Sequence, residues 1–222
     1  MRLSEADHAQ VTAAVTAAET GTDGEIVTVV AGRSDAYHDV ALHWAVLAML
    51  LVLALLAVWP EAAAALYAAV AGGWSVPSAH GLFTVALILV TLTFLLFRLL
   101  LAYMPLRLAL TPPATKTRRV RRRALGLFRA AAEKRTRAAT GVLLYLSLAE
   151  HRAELIADEA IHSKVAPELW GEAMADLIVE VKAGRPGAGM AKAVERVGAV
   201  LAEHFPRSHS DTNELPDRLI EL

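Results

Sequence analysis

Two long apolar runs constrain the fold of this chain more than any other feature. The first, ALHWAVLAMLLVLALLAVW, covers 41–59 with His43 as its one ionisable residue, and the second covers 81–104 with Arg98 as its one charged residue. About 20 apolar residues in a helix cross the roughly 30 Å hydrocarbon layer of a membrane. Neither run has the polar face that a helix at the edge of a soluble core shows. The sequence therefore predicts two membrane-spanning helices, at about 41–59 and 81–104.

The charged residues predict how these helices are oriented. Six basic residues follow the second run within TKTRRVRRR (115–123), whereas the loop between the runs has no Lys or Arg. Because short cytoplasmic flanks are enriched in Lys and Arg, we expect both termini and the soluble domain to face the cytoplasm at a bacterial inner membrane. Each well-placed basic residue would also attract anionic headgroups of the lipid bilayer by about 1 kcal/mol. We call these six residues the basic cluster: Lys116, Arg118, Arg119, Arg121, Arg122 and Arg123.

The remaining composition argues against nucleic-acid binding. Residues 1–40 hold two basic and seven acidic residues, and residues 138–222 hold eight basic and fourteen acidic residues. A nucleic-acid-binding domain is normally basic over a whole face, so no nucleic-acid partner is expected. The chain has no cysteine, which excludes disulfides, thiol nucleophiles and cysteine-ligated metals.

Outside the apolar runs, the sequence alternates between helical and strand patterns. Ser4, with Asp7 three residues later, predicts the start of a helix. Strands are predicted at 25–32, 142–149 and 153–157, and further helices at 118–140, from Pro167 to Gly184, and up to Pro206. The remaining 207–222 is predicted to be a polar tail. This alternation favours an α/β fold in which a small sheet is covered by helices on both faces.

The first 37 residues cannot form a domain alone, because one helix and one strand cannot bury their apolar faces. The strand at 25–32 must therefore pair with strands beyond residue 140. This requirement predicts one domain made of 1–37 and 108–206, interrupted by a transmembrane hairpin at 38–107. Both halves must then lie on the same side of the membrane, as an even number of spans allows.

Several motifs of the soluble part resemble those of the TPM domain family, often labelled TPM phosphatase. They are TDGEIVTVVAG after a helix, TGVLLYLSLAEHR with the following I-x-x-K-V…W segment, GMAKAVERVGAVLAEHFP and NELPD. The resemblance covers roughly 1–35 and 118–217 and implies a small αβα sandwich beside a membrane. It also implies an accessory role in a membrane protein complex or, for some members, divalent-ion binding or acid phosphatase activity. The chain departs from the family in its hairpin and in the turn Glu150-His151-Arg152, where members often have two acidic residues before the arginine.

Three carboxylates at predicted strand ends are candidate metal ligands: Glu25, Glu150 and Asp158. If these ends meet at one sheet edge, the carboxylates would bind Ca²⁺ or Mg²⁺ weakly, since hard cations take oxygen ligands. The alternative is that they are ordinary solvated acids, and no other cofactor or catalytic residue is indicated. We therefore favour an accessory module with an unidentified membrane-protein partner. The alternative function is a divalent-ion-dependent, acid-phosphatase-like hydrolase of low activity.

Overall fold

The computed structural model describes residues 3–73, 76–131, 140–208 and 214–222. The chain forms two compact units, one of Met1–Asp35 with Pro113–Leu222 and one of Ala36–Pro112. The elements in chain order are α1 (Glu5–Glu19), β1 (Glu25–Ala31), α2 (His38–Val58), α3 (Pro60–Ala71), α4 (Ala79–Leu100), α5 (Met104–Ala109), α6 (Pro113–Ala131), β2 (Gly141–Ser147), β3 (Arg152–Ala157), α7 (Glu159–His162), α8 (Pro167–Lys182), α9 (Pro186–His204) and β4 (Ile220–Glu221). We call the first unit the α/β unit and the second the hairpin unit.

The α/β unit contains a mixed four-stranded sheet in the order β3-β2-β1-β4. β1 runs parallel to β2, with Glu25 opposite Gly141 and Ala31 opposite Ser147, and β2 runs antiparallel to β3. β1 also pairs in parallel with β4, so a strand from before the hairpin lies between two strands from after it. The prediction that the strand at 25–32 pairs with a strand beyond residue 140 is confirmed.

Each face of this sheet carries its own apolar core. On one face Ile26, Val30 and Leu144 pack with residues of α1, α8 and α9, including Val11, Leu177 and Val197. On the other face Val27, Val29, Leu143 and Tyr145 pack against Val120, Ala124 and Phe128 of α6. This separation follows from the two-residue period of a strand, which sends alternate side chains to opposite faces. The mixed α/β class that the sequence predicts is confirmed.

The first helix begins where the sequence predicts. The backbone N–H of Asp7 donates to the Ser4 hydroxyl at 3.1 Å, and the Ser4 N–H donates to the Asp7 carboxylate at 2.9 Å. This reciprocal pair satisfies two backbone donors that a helix start otherwise leaves without an internal partner. The hydrogen bond from the Ser4 backbone is the main reason why the pKa of Asp7 lies below its ordinary value.

The hairpin unit contains two helices that are long and apolar enough to cross a membrane, among the residues that the structure describes. They are α2, with 21 residues, and α4, with 22, and 17% and 0% of their most apolar stretches are buried. Small residues of α2, Ala41, Ala45 and Ala48, are among its few buried positions, whereas Leu50 and Leu51 are more than half exposed. A core helix of a soluble domain would bury most of its leucines instead.

A buried arginine holds the base of the hairpin unit together. Arg107 is 5% exposed, and its guanidinium donates to the carbonyl of Leu101 at 2.7 Å and to that of Ala36 at 2.6 Å. A buried charge is costly unless its donors are paired, and here two backbone carbonyls accept from the guanidinium. Arg107 thus binds the two ends of the hairpin unit to each other.

Three predictions about these elements need correction. The second span, predicted at 81–104, ends at Leu100, and Met104 begins the separate helix α5. The segment predicted as a polar tail, 207–222, contributes β4 to the sheet and buries Leu215 and Leu219; a strand of two residues is too short to show a periodic pattern. The predicted loop between the spans contains α3, which starts at Pro60 and ends at Gly72 with φ of 83°. Residues 132–139 of the helix predicted at 118–140, and Asn213 of the NELPD motif, lie outside the described residues.

Candidate functional site

The three candidate metal ligands do not meet at one end of the strands: Glu25 and Asp158 lie where β1 and β2 begin, and Glu150 lies where β2 ends. Glu25 begins β1 opposite Gly141, the first residue of β2, and Asp158 follows β3 and accepts the Gly141 N–H at 3.0 Å. Glu150 follows the end of β2, and the seven-residue strands β1 and β2 separate it from Glu25 by roughly 20 Å. The arrangement in which all three meet is therefore wrong. β3 runs antiparallel to β2, so its end returns to the edge where β1 and β2 begin.

Glu25 is a buried carboxylate that binds backbone N–H groups. It is 5% exposed, and its two oxygens accept from the N–H of Glu214 at 3.1 Å and from that of Leu215 at 3.2 Å. These bonds join the start of the central strand to the segment that leads into β4. Because Leu215 packs in the core beneath α6, Glu25 fixes both the backbone and the packing of this segment.

Asp158 performs a similar structural role at the same edge. It is 8% exposed, precedes the four-residue α7, and ties β2 to the end of β3 through Gly141. Within the described ranges, no group of three or more His, Asp or Glu side chains is arranged to hold a metal ion. Glu25 and Asp158 therefore act on the backbone, and a hard cation would have to compete with these bonds.

Glu150 ends a chain of hydroxyl groups at the opposite edge of the sheet. Tyr145 bonds the Ser34 hydroxyl at 2.9 Å, Ser34 donates to the Ser147 hydroxyl at 2.9 Å, and Ser147 donates to the Glu150 carboxylate. The Ser34 backbone N–H also donates to Glu150, at 2.9 Å. Since Ser34 donates its hydroxyl proton to Ser147, Tyr145 must be the donor to Ser34, so every hydroxyl group donates in the direction of Glu150.

Burial raises the pKa of two titratable side chains near this row of hydroxyl groups. Burial raises the pKa of Tyr145, and the Glu150 charge adds to the effect, while the Ser34 hydrogen bond and the Arg123 charge act in the opposite direction. Burial also raises the pKa of Glu154, the cross-strand neighbour of Tyr145, against the lowering effect of Arg121 and Arg152. Tyr145 therefore stays protonated at neutral pH and serves as a hydrogen-bond donor.

The basic cluster lies on α6, but its members differ in surroundings. Arg119, Arg122 and Arg123 line a groove of about 480 Å³ beside Ser34, Asp35, Gly126 and Leu127. Arg119 pairs with Asp35 at 3.2 Å and its side chain is 15% exposed. The Arg121 charge lowers the pKa of Glu154. Arg118 donates to the Thr115 hydroxyl at 3.5 Å, and Lys116 lies two residues before Arg118 on the same helix. We call the space lined by the three arginines the basic groove.

Sequence reasoning missed the hydroxyl chain and the basic groove. Tyr145 and Ser147 are polar residues in a strand that is buried along its whole length, and this was a signal that they share partners. The groove has no signal in sequence, because the residues after β1 and those of α6 meet only through the packing of α6 on the sheet.

The fold and its site define an α/β protein with a mixed sheet, a basic groove at the carboxyl ends of its two central strands, and two apolar helices. No protein-family model and no curated protein matches the chain. The chain is similar to the NMR structure of the BA42 protein from the psychrophilic bacterium Bizionia argentinensis, with a TM-score of 0.58 and 16% identity over 100% of this chain and 97% of that one. This likeness shows a shared fold.

Proposed function

We propose that this chain is an integral protein of the bacterial inner membrane whose α/β unit is a TPM-like accessory domain in the cytoplasm. The observation that carries the proposal is the exposure of α2 and α4 along their length. Most of their leucines are not buried in a core, and a bilayer is the solvent in which such helices are stable. An apolar surface of this size would otherwise cause aggregation in water.

The charge distribution supports the cytoplasmic orientation. α6 follows the hairpin unit and carries the whole basic cluster, whereas residues 60–80 contain no Lys or Arg. Moving such a cluster across the membrane is disfavoured.

The use of the carboxylates favours an accessory role over hydrolysis. A metal-dependent phosphatase needs several carboxylates around one cation. Here Glu25 and Asp158 bind backbone N–H groups, and Glu150 lies at the other edge of the sheet. The element order and the motifs that resemble the TPM family support a TPM-like domain, and BA42 supports the fold.

A topology measurement tests the anchor and its orientation. A reporter that is active only in the cytoplasm should be active when it is fused after Leu222 through a flexible linker. The same reporter should be inactive when it is inserted between Val76 and Pro77, in the segment between α3 and α4. The reverse pattern would overturn the orientation, and extraction of the protein by alkaline carbonate would overturn the anchor.

A second measurement tests the accessory role. The detergent-solubilised full chain is assayed with a generic phosphomonoester and millimolar Ca²⁺ or Mg²⁺, next to Glu25→Gln and to Glu203→Gln, which changes an exposed glutamate of α9. We expect no metal-dependent turnover from any of the three proteins. Turnover by the wild type and Glu203→Gln that Glu25→Gln lacks would replace the accessory role with the hydrolase.

A further inference from the structure

The basic groove lies where open α/β sheets bind their ligands. Ser34 and Asp35 follow the carboxyl end of β1, and the parallel strand β2 ends beside them at Ser147. Ligands of such sheets bind outside the carboxyl ends of the strands, because loops there can diverge and leave a crevice. Here α6 forms the other wall of the crevice.

The groove has an excess of positive charge. Three arginines and one aspartate line it, and the aspartate pairs with Arg119. Neither Arg122 nor Arg123 forms an ion pair with a carboxylate in the part of the chain that the structure describes. The Asp35 partner instead orients Arg119, whose side chain is mostly buried. Two guanidinium groups are thus left to bind an anion.

The wall of the groove leaves room for a ligand beyond a single ion. Arg119, Arg123, Gly126 and Ala130 recur every three or four residues, so they form one row along α6. At Gly126 a Cβ atom would meet nothing within 4 Å, which shows that the row is open at this position. A space of about 480 Å³ accommodates a small phosphorylated compound.

We propose that the basic groove binds a phosphate group through the guanidinium groups of Arg122 and Arg123. Guanidinium binds phosphate oxygens through two parallel N–H donors, which is why arginine is preferred for phosphate recognition. Two guanidinium groups balance the charge of a phosphomonoester, which is about −1.5 to −2 at neutral pH, and most of the charge of pyrophosphate. The site requires neither the membrane anchor nor the TPM likeness, so it can fail while the proposed function stands.

Calorimetry on the full chain in nanodiscs of zwitterionic lipid tests this site, with pyrophosphate as the probe. The test variant is Arg122→Gln/Arg123→Gln, and the control is Arg118→Gln/Arg121→Gln, which removes the same charge from the same helix outside the groove. We expect the test variant to bind pyrophosphate at least tenfold more weakly than the wild type, because two charge-assisted interactions are lost. The control variant should stay within about threefold, the effect of screened charges at a distance.

The outcomes separate a site from general electrostatics. Equal weakening in the two variants would overturn the proposal, because a diffuse positive surface predicts it, and so would an absence of pyrophosphate binding to the wild type. Nanodiscs containing phosphatidylglycerol identify the source of the phosphate. If a lipid headgroup occupies the groove, these discs should weaken pyrophosphate binding to the wild type at constant ionic strength; if a soluble phosphate does, they should not.

Discussion

Replacing Glu25 by glutamine distinguishes a structural carboxylate from a metal ligand. The substitution preserves the shape of the side chain but removes its charge and turns one acceptor into an NH₂ donor. Glu25 accepts the N–H groups of Glu214 and Leu215 in a site that is 5% exposed, where water cannot replace a lost bond. One N–H thus loses its acceptor, and the other keeps a neutral one.

The size of the effect follows from these two bonds. A hydrogen bond to a charged group contributes about 1.5–3 kcal/mol and a neutral one about 0.5–1.5 kcal/mol. Loss of one bond and weakening of the other should therefore destabilise the attachment of 214–222 by about 2–4 kcal/mol. The rest of this attachment consists of the two-residue β4, the buried side chains of Leu215 and Leu219, and a few hydrogen bonds, such as that from the Thr16 hydroxyl to Asp217 at 2.7 Å.

Hydrogen exchange of the full chain in detergent measures this attachment directly. We expect amide exchange in 214–222 to accelerate by roughly one and a half to three orders of magnitude in Glu25→Gln, while β2 stays protected. The exposed control Glu203→Gln should exchange like the wild type. Unchanged protection in Glu25→Gln would refute the structural role. Unchanged protection together with loss of a Ca²⁺-induced rise in Tm would assign Glu25 to a metal instead.

Three further predictions concern the α/β unit. Because burial raises the pKa of Glu154, the folded state holds the proton of this carboxyl more tightly than the unfolded state does. The protonated carboxyl therefore contributes stability that is present below pH 4.5 and is lost as the pH rises. In urea titrations, Glu154→Gln should stabilise the protein at neutral pH and should not stabilise it below pH 4.5. Gly198→Ala should destabilise the protein by about 1–3 kcal/mol, because the added Cβ would lie 2.5 Å from the Cβ of Ala18. The control Gly171→Ala, whose Cβ would meet nothing within 4 Å, should be neutral or stabilising by up to about 1 kcal/mol. Equal effects of the two substitutions would refute this packing. Replacing 36–112 by a flexible linker of about ten residues should leave a folded, water-soluble α/β unit, because the Asp35–Arg119 ion pair keeps the ends to be joined close together. Circular dichroism measures its folding, and a non-cooperative thermal melt would contradict the prediction.

The sheet was predictable where strands are long and apolar. EIVTVVA and GVLLYLS are short, mostly apolar stretches with glycine or a polar residue at each end, and the structure pairs them over their whole length. β4 was not predictable, because two residues carry no period, and its pairing depends on where Glu25 and Leu215 place the chain. α3 was predictable in principle: Pro60 at its start and Gly72 at its end are standard boundary signals.

The placement of the candidate ligands also had a signal in the sequence. Only four residues, 148–151, link β2 to β3, and a link this short joins antiparallel strands. The end of β3 must then lie at the edge where β2 begins, so the length of the link alone separates Asp158 from Glu150. The basic groove had no such signal. The groove forms where α6 packs against the residues that follow β1, and the 77 residues of the hairpin unit separate these two segments in the sequence. The sequence shows no register for that contact.

The position of β1 restricts how the chain can cross a membrane, independently of any charge. β1 lies between β2 and β4, and both of these strands follow the hairpin in the sequence. An odd number of crossings between residues 36 and 112 would place β1 on the opposite side of the bilayer from both of its partners. The backbone bonds between Glu25 and Ala31 and their neighbours, and the apolar cores on both faces, would then be lost. A domain whose net stability is only roughly 5–15 kcal/mol cannot fold without its central strand. If α2 and α4 enter a membrane, they must therefore either both cross it or both stay on one side, and the basic cluster then decides which side the α/β unit occupies.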